Sequence, residues 1–183
     1  MMSRSGPIDP GPRDPLTPRS GSDAAGYRLL VRALADEIDG QLRPQARNDL
    51  LRGIGDRVAR LLPVPIVASL EALEIEINDR LSELGWGSVR LELQEEDYSL
   101  LIRHENPPRV GSAGDPPGTW LLPALEGMYQ SWILSQPGGD ESLKVRAELA
   151  PTNGLAVLRC ARDDGVSETL ALKRGLSGRA ASP

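Results

Sequence analysis

Cysteine and histidine are almost absent from this sequence, whose 183 residues include one of each, Cys160 and His104. A structural zinc site takes four ligands, chiefly Cys and His, and a disulfide takes two cysteines, so neither can form within one chain. Cys160 lies in an alternating apolar run and is interpreted as a buried structural residue. We therefore predict no metal site and no cofactor.

Aromatic residues and long apolar runs are also scarce. There are 3 Trp, 3 Tyr and no Phe, so the core is expected to consist of Leu, Val, Ile and Ala. No run approaches the roughly 18 apolar residues that span a bilayer. The net charge of -5 argues against a nucleic-acid partner. The N-terminus has no apolar segment of the kind found in secretory signals, which favours a cytoplasmic location.

The first residues differ in composition from the rest of the chain. Residues 1–23 contain five prolines and little to bury, which predicts a disordered arm. Helical periodicity begins at Ala24 and predicts one domain over residues 24–176, with a frayed tail at 177–183. Three helices come first, and their expected buried stripes are Leu30, Leu34, Ile38 and Leu42; Leu50, Ile54, Val58, Leu61 and Leu62; and Leu70, Leu73, Ile77, Leu81 and Leu84.

Three local signals refine these helices. Gly53 and Gly55 lie inside the second helix and predict a close approach of another backbone. Ser69 is the expected N-cap of the third helix, and Gly85 is its expected C-terminal cap.

A change to a two-residue period after Gly87 predicts strands. Val89, Leu91 and Leu93 alternate with polar residues, and a second strand over residues 98–103 completes a hairpin. A loop rich in Pro and Gly covers residues 106–118, and a fourth helix is expected from Thr119 or Trp120. Three antiparallel strands, near residues 143–149, 155–161 and 167–172, follow with turns between them. Helices first and strands mostly later indicate an α+β fold in which N-terminal helices pack on antiparallel strands.

Two segments invite a chemical interpretation. The run His104-Glu105-Asn106 places a histidine beside a carboxylate, but neighbours on a strand point to opposite faces, so a polar cluster that holds the following loop is favoured over catalysis. The loop over residues 111–119 precedes a helix, yet it has no lysine and two prolines, so it matches no phosphate-binding motif. Trp86, between two glycines, is interpreted as a core residue at a helix-to-strand corner.

Several linked stretches, taken in order and spacing, resemble one known family. They are LADEIDGQLRPQARNDLLRGIGDRV at 34–58, LGWGSVRLEL at 84–93, RHENPPRVGSAGDPPGTW at 103–120 and LLPALEGMYQSW at 121–132. Together they resemble the D subunit of bacterial cellulose synthase over roughly residues 28–137. The sequence departs from the family pattern in its longer arm and in the strands after Gly138.

The resemblance implies a non-catalytic accessory protein of cellulose biosynthesis. Members of the family form a cylindrical octamer of four dimers, which is thought to order β-1,4-glucan chains or to align the synthases. Partners implied by the resemblance are other proteins of the cellulose synthase operon, among them a Pro-rich accessory protein, and glucan itself. The shortage of aromatic residues in this protein suits a glucan chain that must slide along it. Many weak hydrogen bonds hold a sugar chain less tightly than stacking on aromatic rings does.

The resemblance also singles out residues with structural or interaction roles and none with a catalytic role. They form a corner, a loop anchor, the loop itself and a helix expected to pack between subunits: Gly85, Trp86 and Gly87; His104, Glu105 and Asn106; Gly111 and Gly114; and Trp120, Glu126, Gly127 and Trp132.

Alternatives remain open for function and location. A hydrolase acting on glucan and a general oligomeric adaptor that presents the disordered arm are the rival functions. The missing signal favours the cytoplasm close to the inner membrane, while a glucan passage would favour the periplasm.

Overall fold

A computed structural model describes residues 20–110 and 118–163. Within them, four helices and four strands form one α+β domain, as predicted. The helices are α1 (Ser20–Gln41), α2 (Pro44–Leu61), α3 (Leu70–Leu84) and α4 (Leu122–Leu134). The strands are β1 (Ser88–Gln94), β2 (Ser99–Glu105), β3 (Leu143–Thr152) and β4 (Leu155–Arg162). They pair antiparallel in the order β1-β2-β4-β3.

Some predicted features lie outside the described residues. They are most of the N-terminal arm, the middle of the loop after Val110, the strand near residues 167–172 and the frayed tail. Helix α1 begins at Ser20, inside the last four residues of the predicted arm. Helix α4 begins at Leu122, later than Thr119 or Trp120, and Pro123 lies in its first turn, where a missing N–H leaves no hydrogen bond unmade.

Helix α4 is the centre of the domain. It packs on α2 along one side and on the sheet along the other, so its side chains are buried over most of its circumference. The core between α4 and the sheet is built mainly from aliphatic residues, with Met128, Tyr129 and Trp132 of α4 among them. A buried helix of this kind shows no single apolar stripe, because solvent lies on neither of these sides.

The buried face predicted for α2 is wrong at three of its five residues, while Val58 packs against the core and Leu62 is partly buried. Leu50, Ile54 and Leu61 are exposed, and the residues buried against the domain are Leu51, Gly55 and Ala59. A Cβ on Gly55 would overlap the carbonyl oxygen of Ala124, so α2 and α4 meet at backbone contact. Small side chains on one face of α2 make this approach possible, which is why that face, and not the leucine-rich one, turns inward.

Of the two glycines inside α2, one confirms the prediction of close approach. Gly55 has no space for a side chain, whereas a Cβ on Gly53 would meet no other atom within 4 Å. Gly53 therefore weakens the helix by about 1 kcal/mol relative to alanine, without any packing reason inside the described chain.

The stripe predicted for α1 is also largely unburied. Among Leu30, Leu34, Ile38 and Leu42, only Ile38 packs partly against the domain, and the fully buried residue of the helix is Ala35. The first half of α1 contacts little of the rest of the described chain, so its apolar side chains remain in solvent. Within residues 20–110 and 118–163, no helix has both the length and the apolarity required to cross a membrane.

The predicted caps of α3 and the predicted turn between β3 and β4 are confirmed. The Ser69 hydroxyl accepts a hydrogen bond from the Ala72 N–H, and Gly85 ends the helix in the left-handed conformation. Asn153 and Gly154, which join β3 and β4, both have positive φ angles, as a type I′ turn requires. Leu93, predicted to be buried, is exposed at the hairpin end of β1.

Candidate functional site

The only histidine of the chain lies in the core. His104 ends the buried face of β2, with Nε2 2.6 Å from the carbonyl oxygen of Trp86 and Nδ1 2.6 Å from the hydroxyl of Tyr129. A carbonyl oxygen only accepts, so Nε2 carries the proton and Nδ1 accepts from Tyr129. The Tyr129 ring meets His104 and Trp132 edge to face, with both centroid distances 5.9 Å.

Burial decides what this cluster can do. The side chains of His104 and Tyr129 have no exposed surface, and burial lowers the pKa of His104 and raises that of Tyr129 well above its ordinary value. A neutral imidazole without exposed surface cannot reach a substrate in solvent. Both of its ring nitrogens already have hydrogen-bond partners, so neither is free for proton transfer. The structure thus supports the structural interpretation of His104 over the catalytic one.

The corner residues and the loop anchor form one assembly. Trp86 accepts from His104, and a Cβ on Gly87 would overlap the carbonyl oxygen of Glu105. Asn106 has a φ of 53° and donates its N–H to the carbonyl oxygen of Gly154 at 2.6 Å. Together these contacts join the end of α3, the end of β2 and the β3–β4 turn. The side chain of Glu105 is exposed and takes no part in them.

Trp120 and Trp132 are buried inside their own chain, which corrects the expectation that they pack between subunits. The Trp132 Nε1–H donates to the carbonyl oxygen of Leu62 at 3.0 Å, and its ring belongs to the main core. Trp120 lies in a smaller cluster with Ala35 and donates to the carboxylate of Asp39 at 3.0 and 3.1 Å. Trp120 therefore fastens the second half of α1 to the domain.

Glu126, another residue singled out from sequence, connects three elements. Its carboxylate accepts from the Arg52 Nε of α2 at 2.7 Å and from the Ala147 N–H of β3 at 2.8 Å. Gly127, beside it, allows α2 to approach, since a Cβ there would overlap the Arg52 carbonyl oxygen. One turn further on, the Gln130 amide donates to the Leu143 carbonyl at 2.5 Å and accepts from the Val145 N–H at 2.7 Å.

Helix side chains therefore bond to both edges of the described sheet. Glu126 and Gln130 bond the free backbone of β3, while Asn78 of α3 donates to the Val89 carbonyl at 2.9 Å and accepts from its N–H at 2.7 Å. Glu74 accepts from the Leu91 N–H at 2.7 Å. Edge strands left open invite pairing with other chains, and these side chains occupy some of the edge groups of β1 and β3.

A groove of about 750 Å³ lies between α2, α4 and β3, and we call it the α2–α4 groove. It is open to solvent, and most of the residues that line it are polar or charged. They are Arg52, Gly53, Asp56, Arg60, Glu126, Gly127, Gln130, Ser131, Leu134, Ser135, Glu141, Lys144 and Arg146.

Metal and thiol chemistry have little support in this part of the chain. Among residues 20–110 and 118–163, no three His, Cys, Asp or Glu side chains are grouped so that they could hold a metal ion. Cys160 is buried, as predicted, and burial raises the pKa of its thiol to about 11. Gly111 and Gly114 lie outside the described residues.

Comparison with known proteins decides the family. A sequence model of the D subunit of cellulose synthase matches residues 17–161, a span that includes nearly all the helices and strands above. The chain belongs to this family, which we call the cellulose synthase D-subunit family. This membership supports a role in cellulose biosynthesis.

Individual members of the cellulose synthase D-subunit family agree with this assignment. Cellulose synthase operon protein D of Komagataeibacter xylinus is 48% identical over 112 residues, which cover 61% of this chain and 72% of that protein. The protein of the same name from Komagataeibacter sucrofermentans is 46% identical over the same lengths. The resemblance found in the sequence is confirmed.

Sequence reasoning missed the partners of several site residues. Tyr129 binds His104, Asp39 binds Trp120, and Arg52 binds Glu126, and these pairs are separated by 25, 81 and 74 positions. No periodicity within one element predicts such pairs. A usable signal existed for Tyr129, which lies three residues before Trp132 and so on the same side of α4.

Proposed function

We propose that this chain is a non-catalytic accessory protein of bacterial cellulose biosynthesis, which assembles with copies of itself and organises the synthases or the glucan chains that they release. The observation that carries the proposal is the unburied apolar face of α1 in a member of the cellulose synthase D-subunit family. An octamer of four dimers is the assembly that the family resemblance implies.

The apolar face of α1 is built as a packing surface. Tyr27, Leu30, Val31 and Leu34 follow the spacing of one helix face, and three of them, Tyr27, Leu30 and Leu34, expose 62%, 55% and 53% of their surfaces. Scattered exposed leucines are ordinary, but a contiguous apolar stripe on a projecting helix marks a place of protein contact.

A second copy of the chain fits this face for two reasons. The chain carries another unburied apolar stripe, formed by Leu50, Ile54 and Leu61 of α2. From Arg28 onward the charges of α1 are also divided, with Arg28 and Arg32 followed by the acidic residues Asp36, Glu37 and Asp39. Two α1 helices packed antiparallel would bring opposite charges together along the flanks of the apolar contact.

A non-catalytic role accords with the site. The single histidine is sealed in the core, and the conspicuous polar residues Glu126, Gln130 and Asp39 are occupied in joining helices to the sheet and to Trp120. The relatives are named as an operon protein, which suits an accessory role. The proposed partners are the other components of the synthase, including a Pro-rich accessory protein, and the proposed location is the cytoplasm beside the inner membrane.

Mass in solution tests the assembly. Light scattering after size exclusion should give about 158 kDa, eight times the chain mass of 19.7 kDa. Leu34→Glu, which places a charge in the apolar face of α1, should lower that mass. Leu29→Glu is the matched control, because Leu29 is an exposed leucine on the opposite side of the same helix. A wild-type mass of one or two chains would reject the octamer.

The proposed accessory role can be tested by measuring the cellulose that cells produce. In a strain that lacks its own copy of this gene, the wild-type chain should restore the amount and crystallinity of cellulose, and Leu34→Glu should not. Release of reducing sugar from soluble β-glucan by the purified chain would instead support a hydrolase. Restoration by both Leu34→Glu and the wild type would show that self-assembly is unnecessary.

A further inference from the structure

The α2–α4 groove has basic side chains on two of its walls. Arg52 and Arg60 belong to α2, whereas Lys144 and Arg146 belong to β3, so each of these walls carries two positive charges. The volume of about 750 Å³ lies within the range of roughly 300 to 1,000 Å³ that is usual for sites of small molecules. A chain whose net charge is -5 thus has a cavity in which basic residues outnumber acidic ones among the described lining.

The carboxylates of the groove are bonded to arginine or lie in solvent. Glu126 accepts from Arg52 at 2.7 Å and from the β3 backbone at 2.8 Å. Asp56 accepts from Arg60 at 2.5 and 3.2 Å. Glu141 is exposed, so its charge acts in the high dielectric of water. These carboxylates therefore leave the positive charge of β3 without a close counterion.

Hydrogen-bond donors, in contrast, remain available on both walls. A guanidinium group has five N–H donors and an ammonium group has three. Within the described chain, no residue accepts from Nη2 of Arg52 or from Nη1 of Arg60. Lys144 is half-buried, and its ammonium group forms neither a hydrogen bond nor an ion pair with a described residue. The groove thus offers many donors and few free acceptors.

The position of Arg146 in the sheet adds to the excess of positive charge. Arg146 lies directly opposite Arg159 of β4, and like charges in this relation destabilise a sheet. Arg159 is paired with Asp97 and Glu148, whereas the guanidinium of Arg146 bonds only a backbone carbonyl among the described residues. Contacts within the described chain do not account for Arg146, and a bound anion would supply the missing negative charge.

Gly53 keeps space open beside these charges. It lies in the interior of α2, where glycine is the poorest residue after proline, and it lines the groove. Gly55 and Gly127 have a packing reason, since a Cβ on either would overlap the backbone of the opposing helix. No atom lies within 4 Å of a Cβ built on Gly53, so packing within the described chain does not require glycine there. A larger side chain at this position would take up room in the groove.

An anion with several oxygen atoms matches a cavity of this kind. Guanidinium groups bind phosphate through two parallel hydrogen bonds, and lysine binds it as a point charge. None of the described lining residues is aromatic, so recognition would depend on the charged groups of the ligand and not on stacking of a ring.

We propose that the α2–α4 groove binds the phosphate groups of a small molecule. Lys144 and Arg146 contact the phosphate oxygens from β3, and the unused N–H groups of Arg52 and Arg60 contact them from α2. This site goes beyond the function proposed above and stands on the contacts of the groove alone. The apolar residues assigned there to contact between copies do not line the groove.

Calorimetric titration of the purified full chain with pyrophosphate at low salt tests the charged groups. We expect saturable binding that weakens as salt is added, and we expect Lys144→Gln to reduce the affinity at least about tenfold. Arg90→Gln is the matched control. Arg90 is exposed, has no ion pair within the described chain and lies outside the groove, so loss of its charge should leave the affinity close to that of the wild type.

A second pair of variants tests the space in the groove. Gly53→Gln should weaken pyrophosphate binding by filling the cavity, with no change of charge. Gly40→Gln is its control, because Gly40 is also a helical glycine with open space around it and lies outside the groove. Thermal melting and solution mass show whether each variant is folded and assembled. The absence of pyrophosphate binding would overturn the site, as would equal losses of affinity in Lys144→Gln and Arg90→Gln.

Sedimentation with vesicles identifies the source of the phosphate. If lipid headgroups supply it, vesicles of phosphatidylglycerol should carry down the wild type but not Lys144→Gln, and neutral vesicles of phosphatidylcholine should carry down neither. If a soluble molecule supplies it, pyrophosphate should bind while neither kind of vesicle carries down the chain. If no pyrophosphate bound while the wild-type chain still restored cellulose in cells, the groove proposal would fail and the accessory role would stand.

Discussion

Tyr129 donates its hydroxyl proton to Nδ1 of His104 across 2.6 Å, and this bond connects the central helix α4 to strand β2 inside the core. The opposite ring nitrogen of His104 binds the carbonyl of Trp86 at the end of α3. Two helices and the sheet thus meet at a single neutral imidazole. Removing one partner leaves a buried polar atom without a hydrogen bond, which costs more than the bond itself contributes.

Replacement of Tyr129 by phenylalanine should therefore destabilise the domain. The change keeps the ring and removes only the hydroxyl, so Nδ1 of His104 loses its donor and the free energy of unfolding should fall by about 1 to 3 kcal/mol. Urea denaturation measures the difference. Tyr98→Phe is the control, because Tyr98 is 88% exposed and its replacement should change stability little. Equal stability of the two variants would show that the buried bond is unimportant.

The stability of the domain should depend on pH through His104. Burial lowers the pKa of this histidine below its ordinary value of 6.5, so the unfolded chain takes up a proton before the folded chain does. Stability from this residue is therefore complete above about pH 6.5 and declines as the pH falls below 6.5 toward the pKa of the folded state.

The carboxylates whose pKa values are lowered affect the stability of the domain over a different pH range from His104. The pKa values of Glu71, Asp97 and Asp140 start from ordinary values of 4.5, 3.8 and 3.8, so their contributions decline only at lower pH. Urea denaturation of the wild type and His104→Gln between pH 7.5 and pH 5 isolates the histidine. The prediction for His104 fails if the free energy of unfolding falls by the same amount in the wild type and in His104→Gln between these two pH values.

The two glycines of α2 should respond in opposite directions to the same substitution. Gly55→Ala places a methyl group on the backbone of Ala124, which should force the helices apart and cost about 1 to 3 kcal/mol. Gly53→Ala adds the same group in open space and should stabilise the domain by up to about 1 kcal/mol. Thermal melts of the two variants make the comparison. Destabilisation of both would mean that Gly53 also has a packing role.

Gln130 should protect the outer edge of the sheet. Its amide bonds both the Leu143 carbonyl and the Val145 N–H, so Gln130→Ala should speed hydrogen exchange at Val145. The Ala147 amide, which binds Glu126, serves as an internal control and should exchange more slowly than Val145 in this variant. A general increase in exchange over the whole domain would indicate global destabilisation and no specific edge effect.

Helix caps and tight turns could be predicted from the sequence, because each of them depends on residues within one short segment. Ser69 caps α3 because its hydroxyl reaches an N–H three residues ahead, and Gly85 ends the helix because glycine adopts the left-handed conformation without strain. Asn153 and Gly154 suit a tight turn for the same reason. The family resemblance also came from sequence, since blocks of residues in fixed order carry it.

The buried faces of α1 and α2 could not be predicted from local sequence patterns. Leucine at regular intervals predicts which side of a helix is apolar, but it does not say what that side contacts. In α2 the face that meets α4 is the one with Gly55 and Ala59, because two backbones can approach closely only where side chains are small. In α1, Leu30 and Leu34 are exposed because the first half of the helix contacts little of its own chain, and we propose that another copy covers them.

The sequence by itself determined the α+β class, the hairpin, the caps, the turns and the family. Each of these depends on residue type and spacing over short distances. Only the tertiary structure decided that β2 pairs with β4, that His104 binds Tyr129, that Trp120 and Trp132 are buried within the chain, and that Gly53 lines a groove. These relationships join residues far apart in the chain, and they depend on how whole elements pack.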